Sequence, residues 1–234
     1  MAWSIAQNKQ NAATNATSGT GVTVTFSSNT TTGNFYVVCA TCNSTTISVT
    51  VTDSQGNSYT QIGSLAAAAS GVDVSLYYTN GASNAGVTGG STTVTVKPSA
   101  TVNMEVVIIE IAGQKTGASP VDSNNNSAGT TGTALTTGSV TSNVANELLL
   151  GVFALSGNSN RTFNTLSGTS IYQDTTLQGS HLEMCVQWQQ VSANTASTCN
   201  LSGAESDTIS FGVTFKPFVT AVVQQMLSML GVGA

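Results

Sequence analysis

Catalysis by an imidazole would have to use His181, because the chain holds a single histidine. Its neighbours Ser180 and Glu183 are close in sequence, but closeness along one strand or turn is not the geometry of a serine triad. Glu105 and Glu110 suggest the paired carboxylates of a glycosidase, yet residues five apart on a strand lie on opposite faces of a sheet. We therefore expect no catalytic residues and no enzyme activity.

Metal and cofactor motifs are equally weak. The segment Asp122-Ser-Asn-Asn-Asn126 resembles the start of a calcium loop, but Gly129 comes two places late and no glutamate closes the loop. Zinc requires four converging ligands, and one Cys39-x-x-Cys42 pair with two distant cysteines does not have that spacing. No phosphate-binding loop or dinucleotide fingerprint occurs. The sequence predicts no metal and no cofactor.

The four cysteines are expected to be free thiols, with a Cys39–Cys42 disulfide as the alternative. In the alternating run from Leu182 to Trp188, Cys185 falls on the side opposite to the buried positions. Cys199 should point inward. A bridge between Cys185 and Cys199 is therefore not expected.

Composition excludes several classes of function. Charged residues make up 6% of the 234 residues, with 5 basic and 10 acidic side chains and a net charge of −5. So few cations exclude a nucleic-acid binder that neutralises phosphates, and the scarcity of charge excludes an electrostatically steered cleft. A hydrophobic content of 40% excludes a disordered chain. The first ten residues have neither a basic region nor an apolar run, so we expect no secretory signal peptide.

The elements that would position any site are β-strands. Serine, threonine, asparagine and glycine supply about 110 residues, and much of the chain alternates apolar and polar residues with period two, which indicates half-buried strands. Between them lie glycine- and asparagine-rich turns such as Asp53–Asn57, where Gly56 suits the positive φ of a hairpin loop. Eight strands are clear: Val22–Phe26, Ile47–Thr52, Val72–Tyr77, Thr93–Val96, Met104–Ile111, Leu148–Phe153, Leu182–Trp188 and Ile209–Phe215.

The second half of the chain echoes the first. Asn34-Phe-Tyr-Val-Val-Cys-Ala-Thr resembles Glu147-Leu-Leu-Leu-Gly-Val-Phe-Ala, and two later strands repeat in the same order at offsets of roughly 110 and 104 residues. Two four-strand halves are typical of an eight-stranded jelly roll built from two Greek keys. The segment Lys115–Thr141 would be the long crossover between them. The prediction is an all-β, eight-stranded antiparallel jelly-roll β-sandwich over residues 21–217, preceded by an arm of residues 1–20.

Residues 218–234 have a different pattern. At 100° per residue, apolar side chains fall on one half of a helix and Thr220, Gln224, Gln225 and Ser228 on the other, which predicts an amphipathic helix that begins after Pro217 and ends at Gly231. The helix packs on its own sandwich or joins copies of the chain, and it is short and half polar for a membrane anchor. The predicted interface residues are Phe218, Val219, Val222, Val223, Met226, Leu227 and Leu230.

The order of motifs resembles a known family. It includes Val51-Thr-Asp-Ser-Gln-Gly-Asn-Ser-Tyr-Thr60, Leu76-Tyr-Tyr-Thr-Asn80, Val106-Val-Ile-Ile-Glu-Ile-Ala-Gly113 and Ala145-Asn-Glu-Leu-Leu-Leu-Gly151. This series is similar to threonine- and glycine-rich jelly-roll modules of bacterial surface proteins and phage virion proteins, over about residues 20 to 217.

The resemblance implies a structural role. It brings no catalytic residues, and a stand-alone copy is similar to phage head decoration (cement) proteins. The expected function is a virion protein on the capsid exterior, a homo-oligomer (a trimer) bound to the phage major capsid protein, without nucleic-acid or membrane partners. The alternative is a carbohydrate-binding or adhesin-type surface module, for which the large polar-tipped rings, Trp3 and Trp188 among them, would have to form an exposed platform.

Overall fold

The computed structural model describes residues 3–64, 66–67, 71–79, 88–112, 119–128, 132–157, 159–174 and 182–217, and these contain strands but no helix. In the first half the strands are β1 (Ser4–Ala16), β2 (Val22–Thr25), β3 (Phe35–Cys42), β4 (Val49–Asp53), β5 (Tyr59–Gln61), β6 (Ala66–Ala67), β7 (Asp73–Thr79), β8 (Thr93–Pro98) and β9 (Val102–Ala112). In the second half they are β10 (Val121–Ala128), β11 (Gly132–Thr136), β12 (Glu147–Ser156), β13 (Phe163–Asn164), β14 (Thr169–Gln173), β15 (Leu182–Val191), β16 (Thr198–Glu205) and β17 (Thr208–Phe215).

These strands form four antiparallel sheets, two in each half of the chain. The first half has a large sheet of order β1-β9-β3-β7-β5, in which β6 also pairs with β7, and a small sheet of order β2-β8-β4. The second half has a large sheet of order β10-β17-β12-β15-β14 and a small sheet of order β11-β16-β13. The all-β, antiparallel, sandwich-like architecture predicted from the alternation is confirmed.

The internal repeat is a repeat of the structure. The strands that echo each other in sequence, β3 with β12, β7 with β15 and β9 with β17, occupy the same places in the two large sheets. Each half, however, carries both a large and a small sheet of its own. The prediction of eight strands in one sandwich therefore needs correction: the described residues form seventeen strands in four sheets. Most of the additional strands are either very short, such as β6 and β13, or largely polar, such as β1 and β10, so they show no clear period-two alternation.

Three apolar cores separate four layers. The central core lies between the two large sheets and holds, for example, Phe35 and Leu76 from the first half and Leu150 and Phe211 from the second. A second core lies under the small sheet β2-β8-β4 and a third under β11-β16-β13. Strands β3, β12 and β17 are buried along their whole length. Continuous apolar runs in the sequence are what a strand covered on both faces requires.

The layered arrangement determines the surroundings of the four cysteines. All four are free thiols, as expected, and all four are buried. Cys185 does point away from the face that carries Met184, but that other side is the third core, where it meets Cys199. The prediction that Cys185 points away from the buried side of its strand, and so away from Cys199, was wrong, because both faces of the sheet are buried. Burial raises the pKa of Cys185 to about 12, so the thiolate needed for reaction is scarce at neutral pH.

The segments expected to flank or cross the sandwich contribute strands. Within the expected arm of residues 1–20, Ser4–Ala16 form β1, which pairs antiparallel with β9 from Ser4–Ala112 to Ala16–Val102. Within the expected crossover lie β10, paired with β17, and β11, paired with β16. The predicted helix of residues 218–234 lies outside the described residues.

A glycine in β12 allows the small sheet β11-β16-β13 to approach the second large sheet closely. A Cβ atom on Gly151 would lie 2.1 Å from Ser197 Oγ and 2.6 Å from Ser197 Cβ. We expect Gly151→Ala to lower the free energy of unfolding by about 1–3 kcal/mol through overpacking, measured by urea denaturation. The matched control is Gly19→Ala, since a Cβ there meets only Thr17 Oγ1, at 3.6 Å. Equal stability of the two variants would contradict the close approach.

Candidate functional site: a groove between two tryptophans

Both tryptophans of the chain line one groove. Trp3 precedes β1, at one edge of the first large sheet, and Trp188 lies on β15, beside the edge strand β14 of the second large sheet. The groove has a volume of about 390 Å³ and is lined by Trp3, Ser4, Ile5, Asn8, Thr169, Ser170, Ile171 and Trp188. Its walls therefore come from both halves of the chain.

The groove is formed by the packing of the two halves of the chain against each other. Strand β1 opens the first half and lies at the edge of its large sheet, and β14 lies at the edge of the other large sheet. Because the two large sheets pack face to face over the central core, these two edges come into contact along one side of the molecule. The groove is the space left where the two edges meet.

The two rings have different roles in the wall. Trp3 is 6% exposed; its Nε1–H donates to the carbonyl oxygen of Asn146 at 2.8 Å, and its ring meets Phe35 edge-on at a centroid distance of 6.4 Å. These contacts join the first-half tryptophan to a loop of the second half and fix the ring. Trp188 packs against the central core while its side chain stays partly exposed. It supplies the accessible aromatic surface.

The remaining lining is polar and uncharged. Four side chains carry hydrogen-bonding groups, Ser4, Asn8, Thr169 and Ser170, and none of them has a hydrogen-bond partner within the described part of the chain. Asn8 is half-buried, and the other three are exposed. Apolar walls with a few unpaired polar groups are the usual make-up of a small-molecule site.

A buried acidic cluster continues the same two strands beyond the groove. Along β1 the residue two places after Asn8 is Gln10, whose side chain contacts Glu105 at 3.5 Å. After β14 comes Asp174, which accepts from the Tyr172 hydroxyl at 2.5 Å and from the Met184 backbone at 2.7 Å. Glu105 is fully buried and Asp174 is 2% exposed. The cluster joins the two halves.

Burial shifts the pKa of one carboxyl group in this cluster, that of Glu105. It raises the pKa of Glu105 well above the ordinary value, and the neighbouring charge of Asp174 raises it further. The raised pKa favours the protonated, neutral form of Glu105, which lessens the repulsion between the two carboxyl groups. The arrangement is a polar contact that holds β9 against the end of β14.

The other carboxylates predicted from sequence are separate. Glu110 accepts from the backbone of Thr31 and from the side chain of Asn34, each at 2.7 Å. Its partners differ from those of Glu105, which confirms that the two glutamates do not converge. Asp122 forms an ion pair with Lys216 at 2.9 Å and accepts from the Asn143 side chain at 2.6 Å. Its carboxylate is thus used within the fold.

Some of the functional residues predicted from the sequence are not among the residues that the structure describes. His181 and the predicted interface residues 218–230 lie outside the described residues. Among the residues that the structure describes, no three metal-ligating side chains cluster, and no helix is long and apolar enough to cross a membrane.

Sequence reasoning noted Trp3 and Trp188 without placing them together. They are 185 positions apart, and they meet only because the two halves pack face to face. The signal that could have joined them is the repeat itself, once it is read as two complete sandwiches. Searches of protein-family models, curated proteins and solved structures found no match to this chain.

Proposed function

We propose that this chain is a non-enzymatic structural protein of a bacteriophage particle, a decoration or cement protein that stabilises the capsid through many weak surface contacts. The observation that carries the proposal is an outer face of threonines on the small sheet β2-β8-β4, where Lys97, at one end of β8, is the one charged side chain among the outward positions of the three strands. Soluble sheets usually avoid association with charged side chains at their surfaces and edges. A polar face almost without charge is suited to being covered by neighbouring molecules.

The threonine face is built by strict alternation. In β2 and β8 every second residue is buried, a valine in all cases but Pro98, so the residues between them, threonines and Lys97, point outward. Thr23 lies opposite Thr95 and Thr25 opposite Thr93, with the last two hydroxyls 2.9 Å apart. On the other side of β8, Thr52 also lies opposite Thr95. Such hydroxyls can make neutral hydrogen bonds to another protein, and salt screens these contacts far less than ion pairs.

The strand order supports the jelly-roll part of the proposal. When the strands of a half are numbered along the chain, with β5 and β6 sharing the fifth place, the large sheet has the order 1-8-3-6-5 and the small sheet 2-7-4 in both halves. We infer that each half is a jelly-roll unit whose fifth strand has joined the large sheet. The chain would then present two such units, packed together through their large sheets.

Binding to particles tests this function. We expect the protein to copurify with virions and to stay attached through washes in molar salt, because the proposed contacts are not ionic. Thr52→Lys should weaken attachment by placing a charge in the centre of the threonine face, and Ser99→Lys, at an exposed turn, should not. Absence from purified particles, or release by moderate salt, would overturn the proposal.

The C-terminal segment is proposed to join the copies. Ending the chain after Pro217 removes none of the described strands and is expected to shift a sedimentation profile from trimer to monomer. Met226→Asp, on the apolar side of the predicted helix, should do the same, whereas Gln225→Asp on the polar side should leave the oligomer intact. An unchanged profile in the truncated chain would exclude this segment as the interface.

The second candidate is a carbohydrate-binding or adhesin-type surface module. The specific observation in its favour is that both tryptophans line one groove with uncharged polar side chains.

A further inference from the structure

We propose that the groove between Trp3 and Trp188 binds a neutral saccharide, with one sugar ring stacked on Trp188 and its hydroxyls bonded by Asn8, Thr169 and Ser170. The inference goes beyond the capsid role and does not depend on it. It deepens the carbohydrate-binding alternative, because it names the site and the chemical class of the ligand.

The chemistry of the residues that line the groove indicates which class of ligand it can bind. A sugar has a face of C–H groups that packs on an aromatic ring and an edge of hydroxyls that both donate and accept hydrogen bonds. The groove offers the same two kinds of surface: indole and isoleucine walls, and four unpaired polar side chains. A purely apolar ligand would remove water from those polar groups without replacing its hydrogen bonds, which costs free energy. It would therefore bind less well than a sugar.

Charge excludes ionic ligands. None of the residues that line the groove is charged, so an anion or a cation would lose its hydration without gaining a counter-charge. The nearest acidic cluster, Glu105 with Asp174, is fully or almost fully buried, and Gln10 contacts Glu105 at 3.5 Å. A neutral, hydroxylated ligand is the class that remains.

Size limits the ligand to one or two sugar rings. Small-molecule sites span about 300–1,000 Å³, and this groove, at about 390 Å³, lies near the lower end. It is also open along the contact of β1 with β14, so a longer glycan can continue outward along the two edge strands.

The site is organised before the ligand arrives. Asn146, whose carbonyl holds the Trp3 indole, is itself held by the Gln190 amide, which donates to its side-chain oxygen at 2.8 Å. Phe35 supports the ring from the core side. A rigid wall lowers the entropy lost on binding, so a small groove of this kind can bind a sugar measurably at millimolar concentration.

The test is binding of neutral sugars to the full chain. Glucose, galactose, mannose, N-acetylglucosamine and their β-linked disaccharides are titrated at millimolar concentrations, with saturation-transfer NMR and tryptophan fluorescence as readouts. We expect at least one of them to bind. Trp188→Ala should weaken that binding at least tenfold and Asn8→Ala several-fold, while Trp188→Phe, which keeps an aromatic face, should retain part of it. Ser99→Ala, remote from the groove, should bind as the wild type does.

The outcomes separate this proposal from the others. No binding by any sugar of the panel would overturn it, and so would binding that survives Trp188→Ala in a folded protein. Preference for an extended peptide over every sugar would identify the two edge strands as a strand-pairing site instead. Trp188→Ala should still attach to virions, so loss of sugar binding and loss of capsid attachment are independent results.

Discussion

Replacing Phe35 by alanine is expected to lower the free energy of unfolding by about 3–5 kcal/mol. Phe35 is fully buried in the central core, and its ring lies 5.1 Å from that of Phe215, which belongs to the other half of the chain. The substitution leaves a cavity between the two large sheets, where close packing permits little relaxation. Urea denaturation measures the loss, and Val144→Ala, at a side chain 40% exposed, is the control with little change expected.

The same variant tests whether the two halves unfold together. In a Trp3→Phe background the remaining tryptophan, Trp188, reports on the second half alone. Because the halves share the central core, Phe35→Ala should lower the denaturation midpoint reported by Trp188 as much as the midpoint seen by circular dichroism. A Trp188 midpoint that does not move would indicate two independently stable sandwiches. A double-mutant cycle with Phe215→Ala should give a coupling of about 0.5–1.5 kcal/mol.

The strands with a clear alternating or apolar pattern could be predicted from the sequence, but the way in which they stack into four layers could not. All eight alternating or apolar segments are strands, since a residue pattern of period two has few other solutions. The short strands β5, β6, β13 and β14 were missed because two to five residues of mixed polarity carry no period. The number of sheets was missed for a different reason. Continuous apolar runs such as Phe35–Cys42 show burial on both faces, but they do not say which segment covers each face.

The candidate site was less predictable than the fold. Trp188 continues the alternating run of β15, so the alternation alone assigns it to packing, and Trp3 precedes β1, outside any alternating run. The groove exists because β1 of one half meets β14 of the other, and contacts between repeats leave no local pattern in a sequence.

Stability is expected to fall as pH rises from about 4 to about 7, the reverse of the usual acid denaturation. Two carboxyl groups determine this. Asp73 is 1% exposed and Glu183 fully buried, and burial raises the pKa of each to about 7. The backbone N–H of Ile47, 3.3 Å from Asp73, and that of Arg161, 2.9 Å from both oxygens of Glu183, offset only part of this effect.

The sign follows from proton counting. Below about pH 4 both carboxyls are protonated in the folded and the unfolded chain, so their contribution is fully present. Between about 4 and 7 the unfolded chain releases these protons while the folded chain keeps them, so ionisation favours unfolding and stability falls with pH. Above about 7 the folded chain releases them too, and the contribution has been lost. The loss is on the order of 4 kcal/mol for Asp73 and on the order of 3 kcal/mol for Glu183.

Chemical denaturation at a series of pH values between 4 and 8 measures this fall. Asp73→Asn and Glu183→Gln each remove one titrating group of nearly the same shape and should each reduce the slope. Gly151→Ala is the control for destabilisation without a titrating group, and it should keep the full slope at lower stability. Glu105, whose pKa burial also raises, contributes to the decline in the same direction, because its ionisation would place a charge in the buried contact between the halves. A stability that stays constant or rises from pH 4 to pH 7 would mean that these carboxyls are already ionised in the folded protein. The apolar contacts would then have to hold the layers together against that buried charge.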